Sequence, residues 1–274
     1  MNGFSKYQHQ VLTLFRCLRC GQHMLPGLSA LRCYNCGNEY PVLHGSIVDV
    51  SGRPERNLSL AQRAGQWRPV AWLYDRVWRG KAFRILTGRN HPPRRELQKV
   101  LEAIDIDSSA VVLDNACANG YYGRSIASKM KRRRSSGVVV ANDISLPMLE
   151  TALHLARQAG VDHRMLFVRS DSESMPFLDK SFDAVMCGGS LNEFRNPDRV
   201  VGELHRVMKP SAHGSLMLQI ASQAPRLQRF QRILESTSGL VFPTADEVLA
   251  MLSRRFRVAV TLQEGALLMV RLLN

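Results

Sequence analysis

The sequence predicts an α/β protein: a doubly wound, mostly parallel sheet with a small metal-binding module in front of it. Three observations carry this expectation. From residue 110 onward, apolar strand-like runs alternate with helix-like segments; three of those runs close on a carboxylate; and two Cys-x-x-Cys pairs stand near the start of the chain.

Taken in order, AVVLD leads into YYGRSIASKM, GVVVAND into LPMLETALHLARQAG, MLFVRSD stands next, and FDAVMCGG precedes PDRVVGELHRVMK. GSLMLQI and ADEVLAMLSRRF follow. Short continuous apolar runs of this kind suit strands covered on both faces. In the second helix Leu146, Leu149, Leu153 and Ala156 recur at helical spacing, which assigns them to the core. Thr244 and Glu247 have the spacing of a capping box that starts the last helix. The final RVAVTLQEGALLMVRLL holds two β-rich stretches around Glu264 and Gly265, the pattern of a closing hairpin.

With 274 residues, 45% of them hydrophobic and 22% charged, the chain has room for one large domain and a small appendage. The expected division is a metal module over 1–50, a linker and helical lid over 51–109, and the main domain over 110–274. No run of apolar residues is long enough for a membrane-spanning helix, and MNGFSKYQHQ lacks the basic start and apolar core of an export signal. A cytoplasmic protein is therefore expected. The net charge of +14 is spread along the chain, and its one dense run, KRRR at 131–134, reads as a solvated helix end, with an anionic partner as the alternative.

The module is defined by Cys17, Cys20, Cys33 and Cys36, with twelve residues between the pairs. Without an export signal, this spacing favours metal over disulfides. Four thiolates around one ion select zinc and leave it no open position, so the site is structural. Gly21 and Gly37 follow the two pairs and suit the tight turns required.

The acids at the strand ends are Asp114, Asp143 and Asp171. In a doubly wound sheet the ligand sits at the carboxyl ends of the strands. A nucleoside cofactor needs an acceptor there for its ribose hydroxyls, another for its adenine amine, and a tight turn between them.

The stretch VLDNACANG at 112–120 resembles the first motif of the class I S-adenosylmethionine-dependent methyltransferases, in the branch that acts on small molecules. The resemblance covers roughly 110–274 and continues through ANDIS, through SFDAVMCGGSLNEFRNPDRV and through MKPSAHGSLML. It implies a seven-stranded sheet and an S-adenosylmethionine site along Asp114, Asn115, Ala116, Gly120, Asp143, Ile144, Asp171, Ser172 and Cys187. Asp143 takes the ribose, with Ile144 beside the adenine, and Asp171 takes the adenine amine. Two family glycines are alanine here. At Ala116 the extra methyl group is expected to be harmless, whereas Ala118 is the real departure. The YPVLHGSIVDV that ends the module is similar to zinc ribbons that precede bacterial methyltransferase domains.

In this family the residues after the fourth strand face the transferred methyl group. They make Glu193 the candidate base, with Asn192 beside it, where relatives often carry histidine. WRPVAWLYDRVWRGKAF at 67–83 resembles the lid helix of this branch, so Tyr74 and Trp78, with Tyr121 and Asn192, are the candidate acceptor-binding residues. The expected reaction is methyl transfer to a small, hydrophobic or aromatic metabolite. An rRNA or tRNA base methyltransferase is the alternative, on the basic charge and the turn NGYYG. Against it, no D-x-x-K-x-G-Y stretch follows the cysteines. A non-catalytic, methyltransferase-like partner protein is the second alternative, favoured by Ala118 alone.

Overall fold

The computed structural model describes residues 4–27, 29–51, 58–77, 84–85, 88, 92–107 and 109–274. Helix α1 (Lys6–Leu12) starts at a capping box in which Ser5 and Gln8 bond each other's backbone. Four short strands follow: β1 (Met24–Pro26), β2 (Ala30–Cys33), β3 (Glu39–Leu43) and β4 (Ile47–Asp49). Next come α2 (Leu60–Ala64), α3 (Arg68–Val77) and α4 (Pro93–Ile104). The main repeat is β5 (Val111–Asn115), α5 (Tyr121–Arg132), β6 (Val138–Asp143), α6 (Leu146–Gln158), β7 (Met165–Arg169), β8 (Phe182–Gly188), α7 (Pro197–Val207) and β9 (Met208–Gln219). The chain ends with α8 (Pro225–Ser238), α9 (Ala245–Ser253), β10 (Arg257–Glu264) and β11 (Leu267–Leu273).

The strands form one sheet in the order β1-β2-β3-β4-β7-β6-β5-β8-β9-β11-β10. From β4 to β9 every pairing is parallel; β9, β11 and β10 are antiparallel, so the expected closing hairpin is present. The central strands are covered on both faces because alternate residues enter two different cores. Leu113, Val138 and Val140 pack with α1 and α7, while Val112, Val139 and Ala141 pack with α4, α5 and α6. Leu149, Leu153 and Ala156 are buried as expected, and the Thr244–Glu247 capping box forms. The KRRR run is exposed at the end of α5, where Lys131 donates to the Gly160 carbonyl at 3.0 Å.

Two features depart from a module, a lid and a domain in series. The cysteine segment is built into the main sheet: β4 pairs in parallel with β7, extending it past the seven strands expected. Its flank is equally committed, since Phe15 is fully buried against Phe177, with ring centres 5.3 Å apart. At the seam Arg169 donates to the Asp49 carboxylate at 3.2 Å and to the Ile144 carbonyl at 3.2 Å, while the Val50 amide donates to the Arg169 carbonyl at 2.9 Å. The second departure is α4, which lies in the segment expected as linker and lid but buries Val100, Ala103 and Ile104 in the main core.

Candidate active site at the carboxyl ends of the strands

Strands β5 and β6 end on residues held by buried hydrogen bonds. Asp114 accepts from the Gly123 amide at 2.8 Å, which ties the end of β5 to the first turn of α5. A side chain at Gly123 would put its Cβ 2.8 Å from that carboxylate, so the close approach requires glycine. Beside it, Asn115 accepts from Asn142 and from Ser172, each at 3.0 Å, which cross-links β5, β6 and the turn after β7.

The loop from Asn115 to Gly120 is tight, and its two alanines are alike: Ala116 has φ +52° and Ala118 φ +48°. Ala116 is therefore not the harmless substitution expected, because the left-handed region costs any residue with a Cβ about 1–2 kcal/mol. The loop is held by its neighbour. The Ala118 amide donates to Asp143 at 2.8 Å, and the other oxygen of that carboxylate accepts from the Ser145 amide at 2.8 Å. Ala116→Gly and Ala118→Gly are each expected to raise stability by about 0.5 kcal/mol, the relieved strain less the entropy regained by the unfolded chain. Thermal unfolding checks this, and a loss of stability would mean the alanine methyls pack favourably.

Over this loop lies a cavity of about 360 Å³. Its floor is Ala116, Ala118, Asp143, Ile144, Asp171 and Ser172; one wall is Ser190, Glu193 and Phe194; the roof is Gly65, Pro69, Val70 and Leu73 from α2, α3 and their connection. The roof is pinned by Ser145, which caps α6 and whose hydroxyl donates to the Gly65 carbonyl at 2.7 Å. Among the described residues three charged side chains line this cavity, Asp143, Asp171 and Glu193, and all are acids. Burial pushes the Asp143 carboxyl up, and the amides of Ser145 and Ala118 pull it part of the way back. Burial pushes Glu193 up to about 7, and repulsion from Asp143 adds to the shift.

Ala116, Asp143, Ile144, Asp171, Ser172 and Glu193 thus come together on one cavity. Asp114, Asn115, Gly120 and Cys187 sit behind it: Gly120 caps α5 with φ +73°, and Cys187 is buried in the core, its thiol pushed up to about 12 by burial. Asn192 faces away from the cavity. Its amide nitrogen donates to the carbonyls of Gln219 (2.7 Å) and Val241 (2.6 Å), and its oxygen accepts from the Gln219 amide at 2.9 Å. Asn192 therefore fixes the turn that carries Glu193 and does not meet a ligand. Tyr121 stacks edge-on against Tyr122, with ring centres 5.3 Å apart, away from the cavity lining. Trp78 lies outside the described residues, as does the side chain of Tyr74. Phe194 lies in the stretch after the fourth strand expected to face the methyl group, and Pro69, Val70 and Leu73 lie in the segment expected as the lid, although the sequence singles out Tyr74 and Trp78 there instead.

At the other end of the sheet edge, the sulfur atoms of Cys17, Cys20, Cys33 and Cys36 lie within 4.8 Å of one another. Cys17 and Cys36 approach to 3.6 Å, and Cys20 and Cys33 to 3.4 Å. Four thiolates bound tetrahedrally at about 2.3 Å would be about 3.8 Å apart, so the cluster has the size of a zinc site. The two turns repeat one design: Gly21 donates to the Cys17 carbonyl at 2.7 Å and Gly37 to the Cys33 carbonyl at 3.1 Å, both glycines with positive φ.

Residues 113–216 match the family model described as a methyltransferase domain. The fold is similar to that of a SAM-dependent methyltransferase from Aquifex aeolicus, with a TM-score of 0.53 and 22% identity over 66% of this chain and 93% of that one. The main sheet and its helices have the class I methyltransferase fold. In sequence the chain is similar to the 2-phytyl-1,4-naphtoquinone methyltransferase of Nostoc punctiforme, 30% identical over 51% of this chain and 58% of that protein. It is equally similar to the demethylmenaquinone methyltransferase of Lactiplantibacillus plantarum, 30% identical over 54% of this chain and 58% of that protein. The chain thus spans less than two thirds of the length of these curated relatives.

Proposed function

We propose that the protein transfers a methyl group from S-adenosylmethionine to a small hydrophobic or aromatic acceptor. One observation carries the reading. In a chain of net charge +14, the described residues that line the cavity at the carboxyl ends of the strands include three carboxylates and no lysine, arginine or histidine. Such a pocket selects a cation with an apolar body. A sulfonium bound to adenosine is that kind of ligand, and when bound it supplies an activated methyl group.

The residues fit it. Both Asp143 oxygens hold one backbone amide each and keep a lone pair for ribose hydroxyls, Ile144 offers an apolar edge to the adenine, and Asp171 lies farther along the floor. Glu193 stands on the wall across from them and receives the acceptor's proton. The apolar roof of Pro69, Val70 and Leu73 suits an acceptor with little polarity, which agrees with the quinone named for the Nostoc relative. The reading includes one structural zinc on the four cysteines and a cytoplasmic setting, supported by four unpaired thiols in metal geometry.

Asp143→Ala is expected to weaken binding of the demethylated cofactor by about 1–3 kcal/mol, and Asp143→Asn by less, because asparagine keeps an acceptor oxygen. Titration calorimetry reads both. Wild-type protein that binds neither form of the cofactor would overturn the reading.

A further inference from the structure

We propose that the face around the cavity mouth docks on the surface of an anionic phospholipid bilayer. Two elements make up this face. One is the α2–α3 roof, which lines the cavity; the other is α8, which follows β9 and contributes none of the described lining residues. They approach each other where a Cβ on Gly239, at the end of α8, would lie 3.6 Å from Ser59, just before α2. The chain after α8 also joins the site directly, through the Val241 amide, which donates to the Asn192 carbonyl at 3.0 Å.

Both elements present large apolar side chains to solvent. Trp67 is 70% exposed and Trp72 65%, while on α8 Ile233 is 59% exposed and Phe230 39%. In α8 the fully buried residue is Gln231 and Leu234 packs on Leu240 and Phe242, whereas Phe230 and Ile233 point away from these contacts into solvent. Arg226, Arg229 and Arg232 are exposed on the same helix. Its one acid, Glu235, accepts from the Phe242 amide.

A helix with arginines beside solvent-facing Phe and Ile, next to two exposed tryptophans, has the composition that lies in the headgroup region of a membrane. The arginines complement an anionic surface, worth about 1 kcal/mol each, and the apolar groups gain by insertion. Nucleic acid satisfies the first term and not the second, since Ile233 and Val241 have nothing to gain from phosphate. On the methyl-transfer reading, a bilayer here brings a lipophilic acceptor to the cavity mouth without a passage through water. No helix among the described residues is long and apolar enough to cross a membrane, so the contact is peripheral.

Co-sedimentation of the full chain with vesicles tests this, and it needs neither cofactor nor acceptor, so its outcome is separate from that of the catalytic reading. With vesicles containing roughly 30% phosphatidylglycerol in phosphatidylcholine, the protein is expected to sediment and its tryptophan emission to shift to the blue. With phosphatidylcholine alone, partitioning is much weaker. Arg226→Gln, Arg229→Gln and Arg232→Gln combined lower partitioning by roughly 100-fold. Trp67→Ser with Trp72→Ser lowers it and removes most of the blue shift, with an unchanged melting curve as the folding control. No sedimentation of the wild type overturns the proposal. So does unchanged partitioning of the arginine variant, or single-stranded RNA displacing the protein from vesicles while leaving the tryptophan emission unshifted.

Discussion

Glu193→Gln is expected to cut turnover by about 10²–10⁴-fold while cofactor affinity changes little, because on the proposed reading the side chain faces the acceptor and takes its proton. The pH dependence has a definite sign. Burial and Asp143 raise Glu193 to about 7, so the carboxylate that acts as base grows as pH rises through 7, and kcat/KM should rise with it. A bound sulfonium favours the charged form, so the kcat profile lies at lower pH than the kcat/KM profile. Stability moves the other way. The native carboxyl titrates above its unfolded value of about 4.3, so it costs stability as pH rises from there through 7. Glu193→Gln removes this cost, so above pH 7 the variant is expected to melt higher than the wild type while turning over far more slowly. A variant with undiminished turnover would remove Glu193 from the chemistry.

The second large effect is expected from the cysteine cluster. One zinc per chain is expected on elemental analysis, and Cys33→Ser or chelation should cost several kcal/mol, on the order of 3 or more, across the whole protein. A ribbon hung on a linker would unfold alone. Here β4 is a strand of the main sheet and Phe15 and Phe177 share one core, so the loss should appear as one cooperative transition at lower temperature. Full stability without metal would show that packing alone holds the cluster.

The central strands were legible because burial on both faces leaves them no polar alternation to disguise the run, as in VVLDN and VVVAND. Asp143, Asp171 and Glu193 were legible for a related reason: each follows such a strand at the end where ligands bind. Helix α8 was not, because a glutamine holds the most buried position and its apolar residues are divided between the inner side, as Leu234, and solvent, as Phe230 and Ile233. The placement of α4 in the core, the pairing of β4 with β7 and the inward turn of Asn192 are long-range facts. Asn192 looks like a catalytic neighbour from its position in sequence, and only contact with Gln219 and Val241 decides otherwise. Positive φ at Ala116 was equally hidden, since alanine carries no mark of a left-handed turn.

The seam at Arg169 joins the segment of the four cysteines to the cavity floor. Its guanidinium bridges Asp49, the last residue of the ribbon's final strand, and the carbonyl of Ile144, which lies in the cavity floor. Two equilibria that share such a bridge obey reciprocity: whatever factor metal occupancy adds to cofactor affinity, the cofactor returns to metal retention. On the proposed reading, donor affinity measured with and without metal, and metal retention measured with and without donor, must therefore change by one and the same factor.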